Sequence, residues 1–126
     1  MKPLEQSLFD LREKNVLVTG GGRGLGRTMA LALADFGANV GIVDINIDTA
    51  EATAADIAAK SVNSLAILGD VTQERDAISA VASVVDEWST LDILVNNAGI
   101  AHQPAPVHQM TEDIIDRQFA VNVKGV

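Results

Sequence analysis

The length of 126 residues predicts a single domain, and a composition that is 48% hydrophobic but only 3% aromatic predicts a core of Ala, Val, Leu and Ile. A net charge of −8 argues against a nucleic-acid partner, because binding to a phosphate backbone needs clustered Lys and Arg. The sequence has no cysteine, no basic-then-apolar leader and no apolar run long enough to span a bilayer, so we expect a soluble, cytoplasmic protein without a membrane partner.

The chain begins with a lead-in, residues 1–14, in which Leu8, Phe9 and Leu11 are expected to pack under the first strand. Short apolar runs then alternate with helical patterns, which predicts an α/β fold of four βα units with right-handed crossovers. The predicted strands cover residues 15–18, 39–43, 64–68 and 91–95. We therefore divide the chain into the lead-in and one α/β domain at residues 15–126.

Start signals place the predicted helices. The first helix is expected to open at Gly24, after a run of glycines. Asp48 with Glu51 three residues later is typical of a capping box and predicts the start of the second helix. Thr72 and Thr111 are the predicted caps of the third and fourth helices.

Apolar spacing predicts which faces of the last two helices are buried. The third helix is expected to bury Ile78, Val81, Val85 and Trp88. The fourth is expected to bury Ile115, Phe119, Val123 and Val126. That second stripe still faces a core at the last residue, so the pattern looks interrupted and the domain incomplete at its C-terminus.

A T-G-x-x-x-G-x-G motif runs from Thr19 to Gly26, between the first predicted strand and the first helix. Glycines there permit a sharp turn and a close approach of backbone N–H groups to an anion, which predicts a phosphate cradle. The common G-x-G-x-x-G spacing fits in no frame, because Leu25 or Arg27 takes the place of a glycine. A P-loop lacks its lysine, since Arg27 follows Gly26. A plain glycine-rich connection is the remaining alternative.

Two charged residues bear on which nucleotide the cradle holds. Asp44 ends the second strand 18 residues after Gly26, close to the spacing of about 20 at which an acidic residue binds the adenosine ribose. Its carboxylate would repel a 2′-phosphate, which favours NAD over NADP. Arg23 argues in the other direction, because a guanidinium can pair with that phosphate. Asp44 as a simple turn former is the alternative.

Further candidates follow the third and fourth strands. Asp70 and Val71 lie where a carboxylate and backbone can reach an adenine edge, although Asp70 is equally suited to assisting the cap at Thr72. The Asn-Asn-Ala-Gly run at residues 96–99 suits a backbone passing close to a ligand, with an Asn-Gly-type turn as the alternative. His102 and His108 lack the paired spacing of a metal site, so no metal is predicted.

Taken in order, these motifs resemble the short-chain dehydrogenase/reductase family. The resemblance extends from about residue 8 to Val126 and includes the Val-Asn-Val-Lys-Gly run at residues 121–125. It implies a Rossmann-type doubly wound parallel sheet, truncated here after about four βα units. It also implies hydride transfer between a nicotinamide cofactor, NAD or NADP, and an alcohol or ketone such as a sugar, polyol or 3-oxoacyl substrate.

The resemblance also implies roles for individual residues. Asn122 would be the active-site asparagine, which bends its helix and holds a water in the proton relay, and Asn96 would mainly brace the sheet. The implied cofactor-binding residues are Gly20, Gly22, Arg23, Gly24, Leu25, Gly26, Asp44, Asp70, Val71, Asn97, Ala98 and Gly99.

One departure concerns the mechanism. The sequence contains no tyrosine, so the phenol that such enzymes use as a general acid or base is absent from these 126 residues. We therefore expect cofactor binding without catalysis, with a noncatalytic NAD(H)-binding module or a truncated fragment as alternatives and a P-loop phosphohydrolase as a remote one. Sheets of the family continue past the fourth strand, so residues 93–95 would form an exposed edge here, which predicts association of this chain. For the full-length form we expect a homo-oligomer, a dimer or a tetramer.

Overall fold

Four parallel strands form one sheet in the computed structural model, which describes residues 8–126. The strands are β1 (Asn15–Thr19), β2 (Asn39–Asp44), β3 (Ser64–Leu68) and β4 (Ile93–Val95). Their order is β3-β2-β1-β4, so successive strands move outward from β1 in one direction until β4 pairs with the other side of β1. This is the strand order of the first half of a doubly wound Rossmann-type sheet, and it confirms the predicted fold class.

Helices connect the strands and lie on both faces of the sheet. They are α1 (Gly24–Asp35), α2 (Ile47–Ala58), α3 (Glu74–Trp88) and α4 (Glu112–Phe119). A 3₁₀ turn at Val107–Gln109 precedes α4, and a π-helical turn at Ala120–Lys124 continues it. The predicted start of the first helix at Gly24 is confirmed. No helix within residues 8–126 combines the length and apolar character that a bilayer crossing requires.

The sheet separates two apolar clusters because successive strand residues point to opposite faces. On one face, Val16 and Val18 pack with the buried alanines of α1 and with Ile57 of α2. On the other face, Leu17 packs with Val84 of α3. Both layers are built from small aliphatic side chains, as the composition predicts.

The buried face of α3 differs from the predicted one. Ala80 and Val84 are buried and Trp88 is half-buried, whereas Ile78 is 64% exposed and Val81 and Val85 are also exposed. Gly41 in the middle of β2 explains the choice, because a Cβ there would lie 3.2 Å from a methyl carbon of Val84. Because Gly41 has no side chain, Val84 of α3 can pack directly against the sheet at this position.

The caps of the middle helices also differ from the predictions. α2 begins at Ile47, and the Asn46 side chain accepts from the N–H groups of Asp48 and Thr49, so the predicted capping box is wrong. Thr72 lies one residue before the cap position of α3 and is bonded to Asp70 instead. Thr111 does cap α4, as predicted, by accepting from the Ile114 N–H.

Apolar side chains at both ends of the chain are more exposed than predicted. In the lead-in, of which residues 1–7 lie outside the described part, Leu11 packs against the core but Leu8 is 99% exposed and Phe9 69%. The stripe predicted to be buried on the fourth helix is exposed at Ile115, Phe119, Val123 and Val126. Within residues 8–126, α4 packs chiefly against its own π-helical continuation, so nothing there covers the stripe.

The cap of α2 gives a first prediction. Replacing Asn46 with Ala removes the acceptor for two first-turn N–H groups, so the free energy of unfolding should fall by about 1 kcal/mol. Glu51→Ala is the control and should change it by less than about 0.5 kcal/mol, because Glu51 is exposed. Urea unfolding measures both values, and a larger loss for Glu51→Ala would restore the capping box.

Candidate functional site

A cleft of about 340 Å³ opens at the carboxyl ends of the strands, where β1 and β4 lie side by side and the strand order reverses direction. Ligands of open α/β sheets bind at such a point. Seven of the sequence-predicted site residues line the cleft: Gly20, Arg23, Asp44, Asp70, Val71, Ala98 and Gly99. The loops that follow all four strands therefore meet at one concave surface.

Among the glycines of the turn after β1, Gly20 and Gly26 leave no room for a side chain towards the loop after β4. Gly20 has a φ of +63°, and a Cβ there would lie 2.9 Å from the Ala98 α-carbon. A Cβ on Gly26 would lie 2.3 Å from both the Asn97 amide nitrogen and the Gly20 carbonyl oxygen. These glycines bring the turn, the first helix and the loop after β4 into direct contact.

The N-terminus of α1 presents unsatisfied backbone donors. Asn46 and Thr111 cap α2 and α4, but among residues 8–126 no side chain caps α1 at Arg23 or α3 at Gln73. Of these two uncapped residues, Arg23 lines the cleft. The first-turn N–H groups, which include those of Gly24 and Leu25, need an acceptor, and the helix dipole favours a negatively charged one. This end of α1 is therefore suited to binding a phosphate.

The Asp44 carboxylate is held by two backbone donors. Its Oδ2 accepts from the Gly22 N–H at 3.0 Å, and its Oδ1 accepts from the Asn46 N–H, also at 3.0 Å. Each carboxylate oxygen keeps acceptor capacity after one such bond. Asp44 can thus accept hydrogen bonds from hydroxyl groups of a ligand while its orientation is fixed.

Asp70 combines a local structural role with a place in the cleft. Its Oδ1 accepts from both the N–H and the hydroxyl of Thr72, at 2.9 and 2.8 Å. The Asp70 N–H donates to Asp76 in α3, which ties the loop after β3 to that helix. Asp70 and Val71 stay predictions as adenine contacts, at the cleft wall where such contacts would be made.

Asn97 clamps the ends of β1 and β4 together. Its side-chain nitrogen donates to the Thr19 and Gly20 carbonyls at 3.0 Å each. The Thr19 hydroxyl in turn accepts from the N–H groups of Asn97 and Ala98, at 3.1 and 3.0 Å. The brace that the resemblance assigns to Asn96 is therefore made by Asn97, while Asn96 lines a separate cavity of about 400 Å³ beside α3.

Asn122 lies in the π-helical turn that follows α4. Its side-chain oxygen accepts from the Ile100 N–H, and its nitrogen donates to the Ile100 carbonyl, both at 2.9 Å. This two-point contact ties the turn to the loop after β4, which forms one wall of the cleft. Single π-helical turns are frequent at functional sites. The bend that the resemblance implies at Asn122 corresponds in position to this turn.

The tertiary structure adds six cleft residues that sequence reasoning missed. They are Ile45, Thr72, Ile100, Arg117, Ala120 and Val121. Three of them, Ile45, Thr72 and Ile100, directly follow predicted site residues, so their positions could have been predicted from the sequence. Arg117 carries no motif, and its place in the cleft depends on how α4 is packed.

Fold and strand order define the chain as a Rossmann-type α/β protein that is open at β4. The chain belongs to the short-chain dehydrogenase family, because the sequence profile described as "short chain dehydrogenase" matches residues 14–126. Members of this family are NAD(P)-dependent oxidoreductases.

Named relatives agree with this membership. Sorbitol dehydrogenase from Cereibacter sphaeroides is 44% identical over 89% of the chain, which covers 42% of that enzyme. FabG, a 3-oxoacyl-[acyl-carrier-protein] reductase from Staphylococcus aureus, is 40% identical over 90% of the chain and is covered to 46%. The chain thus spans about half the length of the curated relatives it matches.

Solved structures show the same fold. A 3-ketoacyl-(acyl-carrier-protein) reductase from Brucella melitensis, complexed with NADH, superposes with a TM-score of 0.86 at 39% identity, over 91% of this chain and 46% of that one. An NAD⁺-bound xylitol dehydrogenase superposes with a TM-score of 0.88 at 36% identity, over 91% of this chain and 44% of that one.

The Asn97 clamp gives a second prediction, in which neighbouring asparagines are compared. Asn97→Ala leaves the Thr19 and Gly20 carbonyls without their donor, so the free energy of unfolding should fall by about 1–3 kcal/mol. Asn96→Ala, at an exposed position, should change it by no more than about 0.5 kcal/mol. Urea unfolding of both variants tests this, and equal losses would refute the assignment of the clamp to Asn97.

Proposed function

We propose that this chain binds NAD(H) in the cleft and is the cofactor-binding part of an oxidoreductase. The reaction is hydride transfer between nicotinamide and a secondary alcohol or ketone. The observation that carries the proposal is the meeting, in one cleft, of an uncapped helix N-terminus at Arg23 with the oriented Asp44 carboxylate. The first suits a diphosphate and the second suits a ribose.

The proposed contacts follow the order of the groups of a dinucleotide, and seven of the residues named for them line the cleft. Gly20, Gly22, Gly24 and Gly26, with Arg23 and Leu25, would form the diphosphate end. Asp44 would accept from the adenosine ribose hydroxyls. Asp70 and Val71 would lie at the adenine, and Asn97, Ala98 and Gly99 at the nicotinamide-side ribose and the sheet end.

Charge supports NAD over NADP in this proposal. Asp44 is a carboxylate at the ribose position, and a 2′-phosphate would place a second negative group beside it. Arg23 lines the same cleft and can offset part of this repulsion. We therefore propose that the cleft binds NAD(H) more tightly than NADP(H) but still binds both.

The residues of the cleft would hold a nicotinamide cofactor, which would supply the hydride chemistry of the reaction. The chain's own contribution is to hold the cofactor by the diphosphate and ribose contacts and to shape the wall beside it through Asn122 and Ile100. Asn122 is the proposed site residue for the proton relay. Polyols, sugars and 3-oxoacyl groups are the proposed substrate class, supported by the sorbitol, xylitol and 3-oxoacyl enzymes that the chain resembles.

Three further parts of the proposal concern the whole protein. We propose that residues 15–126 form the dinucleotide-binding domain, that the full-length form is a homo-oligomer, and that it is cytoplasmic. In the 126-residue chain, the exposed apolar stripe of α4 and the open edge of β4 favour self-association. These 126 residues contain no cysteine, so they hold no disulfide that a reducing compartment would break.

A noncatalytic NAD(H)-binding module is the second candidate. The observation that favours it is that these 126 residues contain no tyrosine, so within them no phenol can exchange the proton of a substrate hydroxyl. Both candidates require the cleft to bind NADH, and they differ in whether the whole protein catalyses hydride transfer.

Asp44 provides the test of binding. The wild-type chain should bind NADH with 1:1 stoichiometry in a calorimetric titration and should bind NADPH more weakly. Asp44→Ala should raise the Kd for NADH by about tenfold or more, which is the effect of losing one or two hydrogen bonds to a charged group. The Kd for NADH and the Kd for NADPH should then differ by a smaller factor than in the wild type. Asp86→Ala removes the same charge from the exposed side of α3 and should leave both affinities unchanged. The absence of saturable NADH binding by the folded wild-type chain would sink the proposal.

Turnover by the purified chain tests whether these 126 residues suffice for catalysis. Because no phenol is available, we expect the purified 126-residue chain to bind NADH yet oxidise neither sorbitol nor xylitol, as followed by NADH absorbance. The Cereibacter sphaeroides sorbitol dehydrogenase serves as the positive control. Measurable oxidation by the chain alone would show that another group carries the proton.

A further inference from the structure

One buried hydroxyl has no role in the packing described so far. The buried polar side chains within residues 8–126 are Asn15, Thr19 and Thr53. The Asn15 side-chain nitrogen donates to the Trp88 carbonyl and to the Thr90 hydroxyl. Thr19 is part of the Asn97 clamp. Thr53 is 0% exposed and lies on the buried face of α2, where its neighbours are Ala and Ile. A hydroxyl at such a position is costly unless it is hydrogen-bonded.

The Thr53 hydroxyl donates a hydrogen bond to the glycine turn. Its Oγ1 donates to the Gly22 carbonyl at 3.2 Å, across 31 residues of sequence. The N–H of the same residue, Gly22, donates to the Asp44 carboxylate. The peptide groups on the two sides of the Gly22 α-carbon are thus fixed separately, one by Asp44 and the other by Thr53.

The peptide that Thr53 fixes is the one between Gly22 and Arg23. A trans peptide is planar, so its N–H points opposite to its C=O. Because the Gly22 carbonyl is directed at α2, the Arg23 N–H is directed away from α2. Within residues 8–126 that N–H has no acceptor, and it stands directly before the uncapped first turn of α1.

We propose that Thr53 is a positioning residue that orients the Arg23 N–H for the diphosphate of the cofactor. This inference rests on the proposed function. Gly22 has no side chain to restrict the rotation of the peptide between Gly22 and Arg23, and no side chain of the turn bonds to the Gly22 carbonyl. Thr53 supplies the restraint from α2, which is itself joined to α1 by the ion pair of Arg27 and Asp56.

The test compares Thr53→Val, which keeps the shape and removes the hydroxyl, with Thr53→Ser, which keeps the hydroxyl. Thr53→Val should raise the Kd for NADH about three- to tenfold, the effect of roughly one neutral hydrogen bond, and Thr53→Ser should restore most of the affinity. The Kd for NADPH should rise by the same factor, since both cofactors share the diphosphate. Ser83→Ala removes a hydroxyl that donates to the Ser79 carbonyl of α3, and it should leave both affinities unchanged.

The Kd values for NADH and NADPH together distinguish an effect on the peptide before Arg23 from an effect on the Asp44 carboxylate. If Thr53→Val altered the ratio of NADPH to NADH affinity, as Asp44→Ala should, the effect would pass through Asp44 and the proposal would be overturned. Unchanged NADH binding by Thr53→Val, beside normal binding by the wild type, would overturn it too.

A measurement without cofactor tests the same contact. The carbonyl carbon of Gly22 and the amide proton of Arg23 should shift in the NMR spectrum of Thr53→Val and return towards wild-type values in Thr53→Ser. Unshifted resonances in Thr53→Val would refute the role of Thr53. A wild-type chain that binds no dinucleotide would instead refute the proposed function, so the two failures are distinguishable.

Discussion

The contact between the end of β1 and the end of β4 is the constraint on which the rest of the site depends. Asn97 holds the Thr19 and Gly20 carbonyls, and Thr19 holds the N–H groups that open the loop after β4. In an open parallel sheet the cleft exists because connections leave these two strands in opposite directions. The strand ladder between β1 and β4 ends at Val18 and Val95, and the clamp extends it to the glycine turn and the opposite wall.

The proposed binding surface is formed by backbone groups that the protein leaves unpaired. Asn46 and Thr111 cap the starts of α2 and α4, whereas α1 at Arg23 and α3 at Gln73 have no side-chain cap. Arg23 lines the cleft, where an anion could accept from the first-turn N–H groups of α1. Around this end the supporting contacts are buried or clamped: Asp44 takes the Gly22 N–H, and Thr53 takes the Gly22 carbonyl. The turn is therefore held in place by elements on either side of it, which prepares it for an anion before one arrives.

Short-range patterns were enough to predict the strands and the first helix. The apolar runs set β1, β2 and β3 to within a residue, because a parallel strand covered on both faces reads as a continuous apolar segment. The fourth strand begins two residues later than predicted, since Asp92 is occupied in hydrogen bonds at the amino end of β1. Predictions of helix faces and caps were weaker. Val84 is buried rather than Val81 because Gly41 lies across from it, and no spacing within α3 contains that information.

The sequence by itself determined the class of fold, the family, and the positions of the glycine turn and of Asp44, because these depend on local periodicity and on residues that permit a particular backbone. The tertiary structure alone decided which asparagine clamps the sheet, that Arg117 reaches the cleft, and that a hydroxyl from α2 holds the Gly22 carbonyl. Each of these contacts joins residues at least 31 positions apart or depends on how one helix packs. A hydrogen bond needs an accuracy of a few tenths of an ångström, which only the packed chain provides.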